Sequence, residues 1–177
     1  MKGIVMNLLA EMVEQKFGLE EWNAILEQAG YQGAYTSAGI YEDSELLDLV
    51  GVISSRSGIS VDDLVFAFGE FMFPMFVERY PDLVDKNMHF LDFLETIDDI
   101  IHVEVKKLYP DAITPAFENL RHEPNKLELR YRSERQMCLL AEGLIKGAAE
   151  HFESAYQLSH SPCLKQGADY CGLVVEV

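Results

Sequence analysis

The sequence is poor in positive charge, with 14 lysines and arginines against 30 aspartates and glutamates and a formal net charge of −16 over 177 residues. Binding to a nucleic-acid backbone or to an anionic membrane surface requires a basic patch, so we expect neither kind of partner. No run of about 18 apolar residues is present, which argues against a membrane-spanning helix. Asn7, Glu11 and Glu14 interrupt the apolar residues that follow Lys2, so the N-terminus lacks the pattern of a signal peptide and we expect a cytoplasmic protein.

Cysteine is also scarce, and three cysteines do not suggest a disulfide framework. Hydrophobic residues make up 49% of the chain, which is enough for a packed core without covalent staples. We therefore expect a single domain over residues 1–177, with a helical N-terminal lobe over about 1–60 and a second lobe over about 61–177.

Apolar spacing predicts helices in the first two-thirds of the chain, at the N-terminus and over about 20–29, 44–55 and 88–108. A further helix is predicted after Ser60, and its segment Val65–Val77 (VFAFGEFMFPMFV) is apolar nearly all round. This segment is either a core helix or one wall of an apolar ligand site. Pro74 predicts a kink or an interruption within it.

The pattern changes to strands in the last third. Leu127, Leu129 and Tyr131 alternate with charged residues, which is the spacing of a half-buried strand. Further strands are predicted over 116–120, 154–160 and 170–177, with a helix over 135–152. The fold class is therefore α+β, with a four-stranded antiparallel sheet packed against helices.

Tyr131, Ser133 and Arg135 would point to one side of an extended segment and bring three hydrogen-bond donors together. Such a group suits a carboxylate ligand, although the spacing alone fits a solvated strand end equally well. His102 lies beside the apolar stripe of the 88–108 helix, with Asp98 one turn earlier to orient its ring. Together these are the parts of a b-type haem site: an imidazole for iron, donors for propionates and apolar walls. A C-x-x-C-H motif is absent, so covalent attachment is not expected.

These residues resemble the H-NOX family of haem nitric oxide/oxygen-binding domains, and the resemblance extends from MKGIV at the N-terminus to the final strand. The Y-x-S-x-R motif at Tyr131, Ser133 and Arg135 matches the family's propionate signature. His102 matches the proximal iron ligand, and Pro115 matches the proline that distorts the haem. The resemblance implies the H-NOX fold, in which a helical N-terminal lobe precedes a lobe with a four-stranded antiparallel sheet and helices.

The resemblance also bears on which gas is bound. Oxygen-binding members place a tyrosine where this chain has Leu140. The other matched distal positions carry no strong hydrogen-bond donor, so the chain resembles the NO-selective branch, which also binds CO. These positions are Val5, Leu9, Met72, Phe76 and Leu144.

A second group of residues has the composition of a metal site. Cys138, His160, Cys163 and Cys171 form a Cys3His set, which suits tetrahedral zinc. Some bacterial members of the family look similar in this region and bind zinc there. Alternatively, Cys138 is a small buried hydrophobe and the other two cysteines are free thiols. A zinc thiolate site is oxidisable, which gives the hypothesis of a redox role.

We therefore expect a haem-based NO sensor rather than an enzyme, because 177 residues leave no room for a kinase or cyclase. The family implies that NO weakens the bond between His102 and iron, and that the signal passes to a separate sensor histidine kinase or cyclic-di-GMP enzyme. One alternative is a haem-free binding module that holds a carboxylated apolar ligand, such as a fatty acid, on Tyr131 and Arg135. A peroxidase-like enzyme is disfavoured because no distal His/Arg pair is evident.

Overall fold

The computed structural model describes residues 1–177 and begins with three helices that share an apolar core. The predicted helices over 20–29 and 44–55 are confirmed, with ends that shift by at most two residues. Gly30 adopts a left-handed backbone (φ 79°) and ends the second helix as its position predicts. These elements are α1 (Gly3–Phe17), α2 (Leu19–Ala29) and α3 (Asp43–Ser57).

The phenylalanine-rich segment forms α4 (Val61–Arg79). Ser60 caps this helix, because its Oγ accepts a hydrogen bond from the Asp63 N–H at 3.1 Å. The helix runs through Pro74 to Arg79, so the predicted interruption is not observed. Proline removes only one hydrogen bond of the helix, and the extensive apolar packing of α4 compensates for that loss.

Glycines set the distance between α4 and α7 (Cys138–His151). A Cβ at Gly143 would lie 2.0 Å from the Phe66 carbonyl oxygen, and a Cβ at Gly69 would lie 2.3 Å from the Leu140 carbonyl oxygen. Any side chain there would push the two backbones apart. Helix α7 begins three residues later than position 135, the predicted start, because the preceding turn places Gln136 at φ 50°.

The predicted helix over 88–108 is divided into three parts: α5 (Phe90–Thr96), a π-helical turn (Ile97–Ile101) and α6 (His102–Leu108). A π-turn bonds each N–H to a carbonyl five residues back and widens the helix, so residues five apart share a face. Ile97, at the start of this turn, and His102, directly after it, both border the same cavity.

The predicted four-stranded antiparallel sheet is confirmed, with strand order β1-β2-β4-β3. Leu129 pairs with Leu173 and Tyr131 pairs with Cys171, so the buried sides of β2 and β4 are in register. This buried face packs against α5 and α7 in a second core. The strands are β1 (Ala116–Glu123), β2 (Lys126–Arg132), β3 (Gln157–His160) and β4 (Cys171–Glu176).

Two apolar cores thus organise the chain. One is built from α1, α2, α3 and the first part of α4, and the other from the sheet, α5, α7 and the remainder of α4. None of the helices combines the length and the hydropathy that crossing a bilayer requires.

Candidate functional site

A cavity of about 470 Å³ lies between the helices and the sheet, and 29 of its 38 lining residues are hydrophobic. This volume falls within the range of about 300–1,000 Å³ that is usual for cofactor and small-molecule sites. Helices α1, α4, α5, α6 and α7 and strands β1 and β2 all contribute to the wall. The cavity can therefore hold a large apolar ligand with a few polar groups.

The predicted imidazole is one of those polar groups. His102 borders the cavity, and its Nδ1 lies 3.0 Å from Asp98 Oδ1. Burial lowers the pKa of His102 and outweighs the opposing hydrogen bond and charge of Asp98, so the ring is neutral at pH 7. With Nδ1–H donated to Asp98, Nε2 keeps the lone pair that a metal requires.

The three predicted donors also meet at this cavity, because Tyr131, Ser133 and Arg135 all line it. The Ser133 Oγ accepts a hydrogen bond from the Arg135 backbone N–H at 3.3 Å, which shapes the turn after β2. Burial raises the pKa of Tyr131, so its hydroxyl stays protonated and can donate. Tyr131, Ser133 and Arg135 therefore border a cavity and do not form a fully solvated strand end.

Arg135 is held by partners that are distant in sequence. Its Nε donates to Asp43 Oδ2 at 2.6 Å, and its Nη1 donates to the Ile113 carbonyl oxygen at 2.7 Å. The other carboxylate oxygen of Asp43 lies 2.8 Å from the Met1 ammonium. Burial opposes ionisation of Asp43, but Arg135 and the N-terminus together hold its pKa below the usual range. The Nη2 group of Arg135 has no partner within the chain and is available to an anionic ligand.

The distal positions divide into two groups. The first group lines the cavity and consists of Val5, Phe76, Leu140 and Leu144. Pro115, the residue matched to the haem-distorting proline, lines the cavity as well. Leu9 and Met72 do not: they are 1% and 3% exposed and belong to the N-terminal core behind the wall. Their assignment to the distal pocket stays a prediction, since neither residue is among those that border the cavity in this structure.

Three tyrosines at the cavity were missed by the sequence analysis: Tyr41, Tyr80 and Tyr109. The hydroxyl of Tyr41 accepts a hydrogen bond from the Thr36 N–H at 2.9 Å. The hydroxyls of Tyr80 and Tyr109 lie 2.8 Å apart. No motif links these residues to the Y-x-S-x-R segment, so only the tertiary structure reveals them.

The predicted Cys3His group is brought together away from the cavity. The ligating atoms of Cys138, His160, Cys163 and Cys171 all lie within 4.8 Å of one another. The Cys163 Sγ lies 3.8 Å from Cys171 Sγ and 4.0 Å from Cys138 Sγ. Two sulfurs that each lie about 2.3 Å from a tetrahedral zinc are separated by about 3.8 Å, so this spacing fits the metal.

The histidine of this group is prepared for a ligand. His160 Nδ1 lies 2.6 Å from Glu142 Oε1, whereas His160 Nε2 is buried without a hydrogen-bond partner. A buried nitrogen without a hydrogen-bond partner is unfavourable unless another group, such as a metal ion, binds to it. A carboxylate on the far ring nitrogen is the usual outer partner of a metal-binding histidine. The residues present therefore fit zinc, and Glu142 is a supporting residue that the sequence analysis missed.

Comparisons with known proteins identify the family. The Haem-NO-binding family matches residues 2–160. Soluble guanylate cyclase 89Db of Drosophila melanogaster is 25% identical over 138 residues, which are 76% of this chain and 20% of that protein. The chain thus spans about a fifth of the length of the curated relatives that it matches.

Solved structures agree with the family match. The H-NOX protein from S. oneidensis in the Fe(II)NO state is 40% identical, with a TM-score of 0.94 over 99% of this chain and 98% of that one. The SO2144 H-NOX domain from Shewanella oneidensis in the Fe(II)CO state is 40% identical, with a TM-score of 0.92 over 100% and 98%. The unliganded Fe(II) H-NOX protein from K. algicida is 34% identical, with a TM-score of 0.90 over 99% and 96%. The chain therefore belongs to the haem-NO-binding (H-NOX) family of gas-sensing haem domains.

Proposed function

We propose that this chain is a sensor of nitric oxide that holds a b-type haem in the cavity and reports NO to a separate effector protein. The observation that carries the proposal is the convergence of His102 and the Tyr131/Ser133/Arg135 donors on one apolar cavity. Each of these groups alone has an ordinary structural explanation. Together they provide an iron ligand, propionate partners and a dry enclosure, which a generic apolar cavity does not need.

His102 would bind the iron through Nε2. Asp98 supports this role because its hydrogen bond to Nδ1 fixes the tautomer and the orientation of the ring. A bound haem would supply a ferrous iron that can bind NO and CO, and the bond of His102 to that iron would be the contact that NO weakens. The solved relatives in Fe(II)NO and Fe(II)CO states support both ligands for this chain.

The propionates would be held by Tyr131, Ser133 and Arg135. The free Nη2 of Arg135 offers a charged donor, and Asp43 keeps the guanidinium in place through Nε. Charge-assisted hydrogen bonds of this kind are the strongest available to a buried carboxylate. We propose that Pro115, on the cavity wall, would contact the haem and distort it.

Selectivity for NO follows from the apolar distal wall. Val5, Phe76, Leu140 and Leu144 carry no hydrogen-bond donor, and all four border the cavity. Bound oxygen carries partial negative charge and requires a donor, whereas NO and CO bind with less polar assistance. The hydroxyls of Tyr80 and Tyr109 also border the cavity, and the bond between them uses one of their two protons.

The output would begin with a movement of α6. Release of the His102 imidazole removes one restraint on this helix, and α6 then shifts against the N-terminal helices. Such a ligand-biased shift between two states is what a sensor requires. We propose a sensor histidine kinase or a cyclic-di-GMP enzyme as the recipient. We propose that the chain acts as a sensor rather than a catalyst, and the match to the Haem-NO-binding family supports this role.

An absorption spectrum of the reduced full chain tests the proposal, before and after NO, CO and air. We expect a Soret band that shifts with NO and CO and does not change in air. His102→Ala should lose the haem unless imidazole is added, whereas His89→Ala, on an exposed residue outside the cavity, should keep it. A chain that stays colourless after haem reconstitution would refute the proposal and favour a carboxylated lipid as the ligand. Turnover of peroxide would favour an enzyme.

We further propose that the Cys3His group binds zinc and confers redox sensitivity. The orphaned Nε2 of His160 and the sulfur spacing of 3.8 and 4.0 Å support a tetrahedral ion. In the redox step, two cysteine thiolates give two electrons to hydrogen peroxide and form one S–S bond. The peroxide takes up two protons and becomes two waters, and the metal loses two ligands.

Metal analysis tests this second site. We expect about one zinc per chain, loss of zinc in Cys163→Ser, and release of zinc on treatment with peroxide. Ser161→Ala is a matched control, because this serine lies between the ligands and is not one of them. Zinc-free wild-type protein would refute the site. Bound zinc that peroxide does not release, with unchanged NO signalling, would refute the redox role alone.

A further inference from the structure

The helix that carries His102 has few polar links to the rest of the protein. None of the residues of the π-turn or of α6 is fully buried, although Ile97 and Ile101 pack against the sheet core and His102 is partly buried. The polar side-chain contacts of Asp98 with His102 and of Glu104 with Lys107 stay within this segment. One side-chain hydrogen bond leaves the segment, and it joins the hydroxyls of Tyr109 and Tyr80 at 2.8 Å.

This bond connects the C-terminal ends of two helices. Tyr80 directly follows α4, and its backbone N–H donates to the Phe76 carbonyl oxygen at 2.8 Å. Tyr109 directly follows α6, and its N–H donates to the Val105 carbonyl oxygen at 2.8 Å. The backbone of each tyrosine is therefore joined to the last turn of its helix, so a displacement of α6 relative to α4 would change the distance between the two hydroxyls.

The α4 end of this contact is firmly anchored. Arg79, the residue before Tyr80, bonds Glu11 of α1 through Nη2 at 2.6 Å. Gly69 and Gly143 hold α4 in backbone contact with α7 further along. Burial and the neighbouring hydroxyl raise the pKa of Tyr80 to about 12, so the Tyr80 hydroxyl stays protonated at neutral pH. Tyr80 is thus the fixed partner and Tyr109 the one that moves with α6.

We propose that the Tyr80–Tyr109 hydroxyl pair is a positioning contact that holds α6 where His102 can bind iron, so that its loss favours release of the imidazole. The inference rests on the proposed haem function. It adds two residues that influence how readily His102 is released from the iron. A net contribution typical of one hydrogen bond corresponds to a change of about two- to tenfold in an equilibrium. That factor is large enough to alter the balance between the two states of the sensor.

The NO complex of the reduced, haem-loaded chain gives the first test. Its absorption spectrum, recorded over a range of temperatures, measures the ratio of molecules with His102 released to molecules with His102 bound. Tyr80→Phe and Tyr109→Phe should each raise this ratio about two- to tenfold, and the double variant should raise it no further. Tyr156→Phe is the matched control, because that ring packs on Phe90 and its hydroxyl has no partner within the chain.

Deuterium exchange of the amides of residues 102–109 gives the second test, in both the haem-loaded and the haem-free chain. Exchange should accelerate by a similar factor in both single variants and remain unchanged in Tyr156→Phe. The proposal is overturned if the two variants match the control in both measurements, or if their effects add in the double variant. A chain without haem would instead refute the proposed function, and exchange in the haem-free chain would still measure this contact.

Discussion

Replacing Gly143 by alanine is the sharpest test of the contact between α4 and α7. The new Cβ would lie 2.0 Å from the Phe66 carbonyl oxygen, 2.9 Å from the Glu70 nitrogen and 3.0 Å from the Gly69 Cα. All three neighbours are backbone atoms, so no rotation of a side chain can relieve the overlap. The two helices must separate, and both of them line the cavity.

The loss of stability expected for Gly143→Ala follows from two opposing effects. Overpacking of a core costs about 1–3 kcal/mol, and backbone contacts favour the upper end of that range. Alanine in a helix regains up to about 1 kcal/mol relative to glycine. A net loss of about 2 kcal/mol remains, which corresponds to a fall in Tm of about 4–8 °C for a domain of this size.

Gly51 provides the control for helix propensity. It lies within α3, and a Cβ built there meets no atom within 4 Å. Gly51→Ala should therefore raise Tm by about 2–4 °C through propensity alone. Thermal unfolding followed by circular dichroism measures both variants. A Gly143→Ala protein that melts at or above the wild-type temperature would refute the conclusion that this contact requires glycine.

Three further predictions concern the cavity. Arg135→Ala should accelerate transfer of haem to an acceptor protein, because a buried propionate loses its charged donor; an unchanged rate would remove Arg135 from that role. Leu140→Tyr should introduce measurable oxygen affinity by adding a donor to the apolar wall, which the spectrum in air detects; a spectrum identical to that of the wild type would show that one donor is insufficient. Asp43 has a depressed pKa in the folded chain, so it stabilises the fold above its unfolded pKa and loses this effect as the pH falls through the lower folded value. The Tm advantage of wild type over Asp43→Asn should therefore be present at pH 6 and vanish in the acid range below about pH 4, and an advantage that persists at pH 2 would contradict this assignment.

Local patterns predicted the features of the fold that depend on neighbouring residues. The alternation of Leu127, Leu129 and Tyr131 predicted β2, because a strand with one buried face needs a period of two. The capping of α4 by Ser60 and the end of α2 at Gly30 were likewise visible in short stretches of sequence. The π-turn was not visible in this way, because the spacing of Ile97, Ile101 and Val105 is also that of a continuous α-helix.

The parts of the candidate site that depend on residue types at short spacing were predictable. These parts predicted a carboxylate or metal ligand, and they are the Y-x-S-x-R segment, His102 and the Cys3His set. The supporting residues were not predictable in this way. Asp43 lies 92 residues from Arg135, and Glu142 lies 18 residues from His160. Likewise, a helical stripe does not reveal which of its residues a neighbouring helix covers, and Leu9 and Met72 both lie within the N-terminal core.

The first two turns of α7 serve both sites of the chain. Arg135 lies three residues before the first residue of this helix, Cys138 opens it, and Leu140 and Leu144 face the cavity from the following turns. Because each residue advances an α-helix by a fixed rotation, one insertion between positions 135 and 144 would misalign the cysteine cluster and the distal wall together. A chimera with another member of the family should therefore exchange residues 135–144 as one block, together with the loop of Cys163 and with Cys171.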